Sequence, residues 1–143
     1  MAVRMRPLRL SDYGAMIQLF DVCGLSPRVH GRDSRPAFAY QLRSNRALYL
    51  GAFDTDRLVG TVLGTHDTRK AWVNRLAVHP DYRRRGLAAR LVRACEKELR
   101  KRGFRIFAAL VDGDNVASQE LFTRLGYASS DIRYYRKKLR EDI

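Results

Sequence analysis

The stretch HPDYRRRGLAARLV, residues 79–92, marks the point where the sequence changes from the pattern of a strand to that of a helix. The residues before it, AWVNRLAV at 71–78, are typical of a strand. After the glycine, apolar residues recur at the spacing of one helix face: Leu87, Ala88, Leu91, Val92, Cys95 and Leu99. The sequence therefore predicts a strand, a turn and a helix in direct succession.

This succession predicts a binding loop for a phosphate group. The first N–H groups of a helix have no partner within the helix, and the helix dipole attracts an anion to them. Gly86 lets the backbone bend and lets a pyrophosphate approach, while Ala88 keeps the next position small. The loop is not a Walker loop, since no Gly-Lys-Ser/Thr follows it. It is not a dinucleotide fingerprint either, since only one of the three glycines is present.

Length and charge limit the class of protein. With 143 residues, we expect one domain over residues 1–143. No apolar run approaches the roughly 20 residues of a membrane helix, and the N-terminus lacks a secretory signal, so we expect a cytoplasmic protein without a membrane partner. Cys23 and Cys95 form no metal-ligand pattern, and we expect no metal. The net charge of +13 leaves nucleic acid, a phosphorylated cofactor and an acidic substrate open as partners.

Turn signals and periodicity predict strands and helices along the whole chain. Strand patterns occupy residues 3–10, 47–53, 57–65, 71–78, 104–111 and 132–139. Helices are expected after Ser11 and Asp12, after Asp33 or Ser34, from Leu87 to the stop at Gly103, and from Asn115 to Leu125. We therefore expect an α/β domain.

The chain resembles the GNAT superfamily of acyl-CoA-dependent N-acyltransferases. The family's loop pattern is Arg or Gln, two residues, Gly, any residue, and Gly or Ala; Arg83, Gly86 and Ala88 match it, after the family-like LAVHPDYR. The later stretch NVASQELFTRLGY resembles a second family helix that begins at Asn115, with Ser118 where Ala is more usual. The resemblance covers about residues 57–139. It implies a single-domain GNAT-like fold, whose central sheet is mixed and mostly antiparallel and is flanked by helices.

The resemblance also implies acetyl-CoA as co-substrate and gives its binding residues. The backbone of Leu76, Ala77 and Val78 would pair with the pantetheine arm as another strand would. The amides from Arg84 to Ala88 would hold the pyrophosphate, and Asn115 and Ser118 would border the thiol end. The full expected set is Leu76, Ala77, Val78, Arg83, Arg84, Arg85, Gly86, Leu87, Ala88, Asn115 and Ser118.

The expected reaction is attack by an amine on the thioester, which needs the amine deprotonated. An amine of pKa about 10.4 is protonated at neutral pH, a handicap of roughly 4 to 5 kcal/mol. AWVNRLAV lacks the glutamate that serves as base in some members, so Asp67 in the turn THDTR is the first candidate base and His66 the second. A backbone N–H near Val78 is expected to stabilise the thioester oxygen.

The expected proton donor to the leaving thiolate is missing. Many members of the family carry a Tyr at the position that Phe122 occupies here. Because a thiol has a pKa of about 8.5, its thiolate can leave without a strong proton donor. A water or a neighbouring Tyr could therefore suffice to protonate it. We interpret His79 as an exposed loop residue. Tyr134 and Tyr135 alternate faces on the predicted last strand, so one belongs in the core and the other can line the acceptor groove.

Two other functions remain open. A GNAT-like domain that binds acyl-CoA without transferring the acyl group would explain the missing catalytic residues. A nucleic-acid-binding module would explain the charge, but the basic residues are spread over several elements without a recognised motif, so we expect no specific nucleic-acid partner. The acceptor is expected to be a small-molecule or protein amine, and a homodimer is compatible with the sequence.

Overall fold

The computed structural model describes residues 2–143 and contains a five-stranded sheet in the order β1-β2-β3-β4-β5. The strands are β1 (Val3–Pro7), β2 (Tyr49–Asp54), β3 (Arg57–His66), β4 (Ala71–Val78) and β5 (Phe107–Ala108). Neighbours from β1 to β4 are antiparallel, and β5 is parallel to β4. The expected mixed and mostly antiparallel sheet is confirmed.

Four α-helices flank this sheet: α1 (Tyr13–Val22), α2 (Arg35–Asn45), α3 (Leu87–Lys101) and α4 (Val116–Arg124). A short 3-10 helix, Leu10–Asp12, precedes α1, and another, Pro80–Tyr82, follows β4. Ser34 caps α2, because its hydroxyl accepts the Ala37 N–H. No helix within residues 2–143 is long and apolar enough to cross a membrane.

The apolar residues form two clusters, one on each face of the sheet. Met16, Leu19 and Phe20 of α1 and Phe38 of α2 pack on one face. The stripe of α3 predicted from the sequence packs on the other face, and its members Leu87, Leu91, Val92, Cys95 and Leu99 are all buried. The helix period read after Gly86 is therefore confirmed.

The strands β4 and β5 separate after two residues. Their ladder joins Ala71 to Phe107 and Trp72 to Ala108, and it ends there. On its other side β4 pairs with β3 as far as Val78, with a register shift opposite Thr61 and Leu63. Residues 73–78 of β4 thus have an edge that is open where a neighbouring strand would lie.

The C-terminal part of the chain differs from expectation. The strand predicted over residues 104–111 is reduced to Phe107–Ala108, and Ile106 and Leu110 beside it are exposed. The strand predicted over residues 132–139 is wrong, because these residues form no strand. Tyr134 and Tyr135 are 65% and 85% exposed, so neither enters the core. An alternating pattern needs an edge to pair with, and β5 offers only two residues.

Candidate functional site

The open edge of β4 is the first part of the candidate site. The Val78 carbonyl accepts hydrogen bonds from the Arg83 Nε (3.0 Å) and the Cys23 thiol (3.4 Å), so it points away from β3. Because the N–H and C=O of one strand residue point to the same side, the Val78 N–H also faces the open edge. Ala77 lies opposite Thr61 on β3. An extended ligand can pair with such an edge as an added strand.

The second part is the N-terminus of α3, which follows directly. Gly86 is the N-cap residue and has φ of 74°, in the left-handed region, and no side chain caps the helix. A Cβ built on Gly86 would meet no atom within 4 Å, so the space before the helix is open. Leu87 is buried, whereas Gly86 is exposed. The first N–H groups of α3 therefore face open space, as an anion site requires.

The three arginines of the loop have different surroundings. Arg83 turns back to the Val78 carbonyl and so fastens the loop to the end of β4. Arg84 has φ of 64° and an exposed side chain. The Arg85 guanidinium lies 5.3 Å from the ring centre of Tyr82, whose hydroxyl donates to the Asp54 carboxylate at 2.5 Å. This bond to Asp54, with burial, raises the pKa of Tyr82. The loop therefore has a fixed base beneath exposed cationic residues.

The N-terminus of α4 carries the two expected residues of the thiol end. Asn115 is its N-cap, and its Oδ1 accepts the Ser118 N–H at 3.1 Å. Asn115 is exposed and Ser118 is half-buried. The structure therefore gives them a capping contact with each other, and their role toward a ligand stays a prediction.

Phe122 and Tyr127 pack together at the other end of α4. Their ring centres lie 4.9 Å apart in an edge-to-face arrangement, and Phe122 is buried. The Tyr127 hydroxyl donates to the Glu96 carboxylate of α3 at 2.6 Å. Burial and this bond to Glu96 raise the pKa of Tyr127. The hydroxyl therefore keeps its proton to a higher pH, and it joins the segment that follows α4 to α3.

Asp67 acts as a turn residue in the structure. Its Oδ1 accepts the N–H groups of Lys70 (2.7 Å) and Arg69 (2.9 Å), and its side chain is exposed. These backbone bonds, from Lys70 first, lower the pKa of the Asp67 carboxyl, which weakens it as a base. The ring of the second candidate base, His66, packs at a tilt against Phe104 with the ring centres 4.7 Å apart, and its Nδ1 accepts the Thr68 N–H. Neither residue touches the open edge through these contacts.

His79 differs from the exposed loop residue that we expected. Its side chain is only 18% exposed, and its Nδ1 accepts the Asp81 N–H at the start of the 3-10 helix. Its Nε2 lies 3.1 Å from an Arg57 nitrogen. His79 therefore caps the turn between β4 and the candidate anion site.

Sequence reasoning missed an ion pair beside the open edge. The Arg75 guanidinium on β4 lies 2.7 Å from the Asp33 carboxylate, and Asp33 is one of two buried polar or charged residues in the described chain. The sequence indicates Asp33 only as one of two possible helix starts. No spacing rule joins positions 42 residues apart, so the sequence carried no signal for this contact.

Across residues 2–143 no group of three or more His, Cys, Asp or Glu side chains could hold a metal ion. Cys95 is fully buried, and burial raises its pKa to about 12, so it packs as an apolar residue. Cys23 is half-buried and donates to the Val78 carbonyl.

Comparison with known proteins identifies a family and a shared fold. The sequence model of the acetyltransferase (GNAT) family matches residues 14–127, which is most of the chain. That match contains the open edge of β4, the loop before α3 and the whole of α4.

Solved structures share the fold at low identity. The PaiA N-acetyltransferase from Thermoplasma acidophilum, in complex with coenzyme A, has a TM-score of 0.83 and 19% identity, over 93% of this chain and 94% of that chain. The ribosomal-protein-S18-alanine N-acetyltransferase from Escherichia coli has a TM-score of 0.77 and 24% identity, over 95% and 85%. The NatC complex bound to a Gag peptide and CoA has a TM-score of 0.73 and 19% identity, over 87% and 84%.

Proposed function

This chain belongs to the acetyltransferase (GNAT) family, and from that premise we propose that it transfers an acetyl group from acetyl-CoA to an amine by direct attack on the thioester. One observation carries the proposal: the open edge of β4 is followed, after the 3-10 helix Pro80–Tyr82 and the loop that ends at Gly86, by the uncapped N-terminus of α3. A ligand that is extended at one end and anionic at the other fits both features at once. Coenzyme A, with its amide-containing arm and its pyrophosphate, has this chemistry.

In the proposal, backbone groups hold most of the co-substrate. Leu76, Ala77 and Val78 pair with the arm, and the amides from Arg84 to Ala88 hold the pyrophosphate. The side chains of Arg83, Arg84 and Arg85 add attraction for the phosphates, and Asn115 and Ser118 border the thiol end. The open space before Gly86 supports this assignment, because a bulky anion needs room there.

Bound acetyl-CoA supplies an acetyl group that is already activated as a thioester. A backbone N–H of the open edge, on the Arg75 side of Val78, is the proposed donor to the thioester oxygen, a contribution typically worth about 3 kcal/mol. The positive charge of the loop and of the chain as a whole disfavours a protonated amine nearby and so lowers the pKa of the amine. Water then suffices to carry the proton away, with Asp67 retained as a weak candidate base.

The proposed acceptor is a primary amine on a protein or a small molecule. The similar structures include an enzyme named for the alanine of a ribosomal protein and a complex bound to a Gag peptide. We therefore propose to begin with peptides that have free N-termini, and to continue with lysine, spermidine and an aminoglycoside. We also propose that the protein is located in the cytoplasm, which is compatible with this range of acceptors.

The test joins two measurements on the intact chain. Calorimetry is expected to show acetyl-CoA binding with a submillimolar Kd that persists at 200 mM salt, since only a few charges are involved. A thiol-release assay is then run with acetyl-CoA and each amine. Release that depends on the amine supports transfer, whereas absence of acetyl-CoA binding would overturn the assignment of the site.

Binding of acyl-CoA without transfer is the second candidate function, and Phe122 favours it. This residue offers no proton, and the Tyr127 hydroxyl beside it is committed to Glu96. Under this alternative acetyl-CoA binds equally well, but no amine in the panel releases thiol. The thiol-release assay thus separates the two functions.

A further inference from the structure

Arg75 adopts an unusual backbone conformation next to the open edge of β4. Its φ is 49°, in the left-handed region that residues with a Cβ rarely occupy. The strand keeps this conformation at its register shift, where the Thr61 hydroxyl donates to the Arg75 carbonyl at 2.9 Å. Such strain persists only where surrounding contacts fix it, and it is common at functional sites.

The Arg75 side chain reaches the loop between α1 and α2, residues 23–34, which we call the α1–α2 loop. One guanidinium nitrogen lies 2.7 Å from the Asp33 carboxylate, and another donates to the Leu25 carbonyl at 2.9 Å. The guanidinium also lies 5.2 Å from the ring centre of Phe20. A single side chain of β4 therefore holds both ends of the α1–α2 loop.

Asp33 closes the same loop from within. Its carboxylate accepts the Arg28 N–H at 2.8 Å, and its carbonyl accepts the Tyr13 hydroxyl at 2.6 Å. Asp33 is only 9% exposed, so these bonds are shielded from water. The Asp33–Arg75 pair therefore ties the loop to β4, together with the Arg75–Leu25 and Cys23–Val78 hydrogen bonds, while the Arg32 side chain donates to the Ile143 carbonyl.

The α1–α2 loop borders the open edge of β4. The Cys23 thiol at the start of the loop donates to the Val78 carbonyl, and Arg75 is the residue before Leu76. A ligand whose anionic end lies at α3 extends back along β4 from Val78 toward Arg75. Its reactive end then lies beside the α1–α2 loop.

We infer that Arg75 and Asp33 are positioning residues that fix the α1–α2 loop as one wall of the acceptor-amine site. This inference rests on the proposed function. The amine must approach the reactive end of the arm, and the space beside that end is bounded by β4 on one side and by the α1–α2 loop on the other. Small displacements of such a wall misplace the amine relative to the thioester.

A purely structural role for the pair makes a different prediction. Buried ion pairs can often be replaced by neutral side chains without loss of stability, whereas removal of one partner leaves an uncompensated charge. The double variant Arg75→Met/Asp33→Asn removes both charges together. It is therefore expected to fold and to lose the positioning of the loop, which separates positioning from stability.

The chain provides a matched control pair. Arg6 and Asp12 also form an ion pair, here with two hydrogen bonds at 2.9 and 3.1 Å, and the Asp12 side chain is 11% exposed, as is that of Asp33. Arg6 lies on β1, three strands away from β4. The double variant Arg6→Met/Asp12→Asn therefore removes the same chemistry at a distance from the open edge.

The experiment compares both double variants and Arg75→Lys with the parent protein. It uses the panel amine that gives the fastest thiol release, and it measures KM and kcat for that amine, the acetyl-CoA Kd by calorimetry and the melting temperature. Arg75→Met/Asp33→Asn is expected to raise the KM of the amine about tenfold and to leave the acetyl-CoA Kd within about twofold. Arg75→Lys, which keeps the charge, is expected to lie between it and the parent.

Two results would overturn the inference. One is an unchanged KM in Arg75→Met/Asp33→Asn, and the other is a KM that rises equally in Arg6→Met/Asp12→Asn. A rise in KM that only tracks the fall in melting temperature across all the variants would overturn the inference for the same reason as the second result. Failure of the parent protein to release thiol with any amine would instead overturn the proposed function, and this is seen before any variant is compared.

Discussion

The C-terminal end of α3 divides the molecule into two regions that differ in packing. Residues 2–101 contain four strands of five to ten residues and three of the four helices. Residues 102–143 contain a two-residue strand and α4. Phe122 is the one buried hydrophobic residue that the described chain has after Leu99. By contrast Ile132, Tyr135 and Leu139 are more than four-fifths exposed.

This difference in packing indicates which border of the proposed site is rigid before a ligand binds and which is less so. Strand β4 and the N-terminus of α3 lie in the well-packed region, so the groups that would hold the pyrophosphate have a rigid base. Asn115 and Ser118, at the opposite border, lie on α4, which is joined to α3 through Tyr127 and Glu96. We therefore expect local stability to fall from α3 to the C-terminus.

The largest effect is expected from a cavity in the first region. Leu91 lies on the inner face of α3 and is fully buried, whereas Tyr135 is 85% exposed. Leu91→Ala is expected to lower the free energy of unfolding by about 2–5 kcal/mol, because the transfer and cavity costs add. Tyr135→Ala is expected to change it by less than about 0.5 kcal/mol. Chemical denaturation of both variants measures the contrast.

Equal losses in the two variants would break the proposed division. They would mean that residues 128–143 pack against the rest of the chain more extensively than through the Arg32–Ile143 hydrogen bond. Hydrogen exchange gives an independent reading, since amides of residues 128–143 are expected to exchange much faster than those of α3.

The second prediction concerns the anion site at the start of α3. Gly86→Glu places bulk and negative charge before the helix, so acetyl-CoA binding is expected to weaken by about 100-fold or more. Gly103→Glu is the matched control at the other end of α3: both glycines have positive φ, at 74° and 92°, and neither would meet an atom within 4 Å at Cβ. Both variants carry similar backbone strain, and only Gly86→Glu meets the pyrophosphate.

Calorimetry on the two folded variants decides this prediction. If Gly86→Glu binds acetyl-CoA as tightly as Gly103→Glu, the loop before α3 is not the phosphate site. Equal weakening in both would point to a general loss of structure, and far-ultraviolet circular dichroism detects that loss.

The same division explains what the sequence could predict. The helix α3 and the loop before it were predicted because packing follows periodicity where one face of a helix is fully buried, as at Leu91 and Leu99. The strand over residues 132–139 was wrongly predicted because alternation reports strand propensity and cannot report whether an edge is present. The Asp33–Arg75 pair lay beyond prediction, since distant polar contacts leave no local pattern.

The third prediction tests the joint between the two regions. Tyr127→Phe removes the hydroxyl that donates to Glu96 and is expected to cost about 1–2 kcal/mol at pH 7, because the acceptor is charged. In the folded state the pKa of Tyr127 is raised above the ordinary value of 10.0. The folded state therefore keeps this proton when the unfolded state releases it, and the stabilisation is lost as pH rises above about 10.

Denaturation of the parent and Tyr127→Phe at pH 7, 9 and 11 measures this joint. The stability difference is expected to be constant up to about pH 9 and to shrink by pH 11. Burial also raises the pKa of Tyr49 to about 12 and that of Cys95 to about 12, but both groups are present in the variant and cancel. A difference that does not change with pH would contradict the Tyr127–Glu96 bond.

The smallest effect is expected at Asp67, at the opposite end of β4 from the loop before α3. If Asp67 deprotonates the amine, Asp67→Asn lowers turnover by roughly 100-fold or more and removes the acidic limb of the pH–rate profile. The turn contacts make the other outcome the expected one, because the carboxylate is exposed and its pKa is lowered by the Lys70 and Arg69 N–H groups. We therefore expect less than about a threefold change in kcat and an unchanged profile, measured by thiol release, because the amide oxygen of Asn can still accept both turn bonds. Loss of the acidic limb would show instead that Asp67, and not water, accepts the proton of the amine. The reactive end of the site would then extend along β4 as far as the β3–β4 turn.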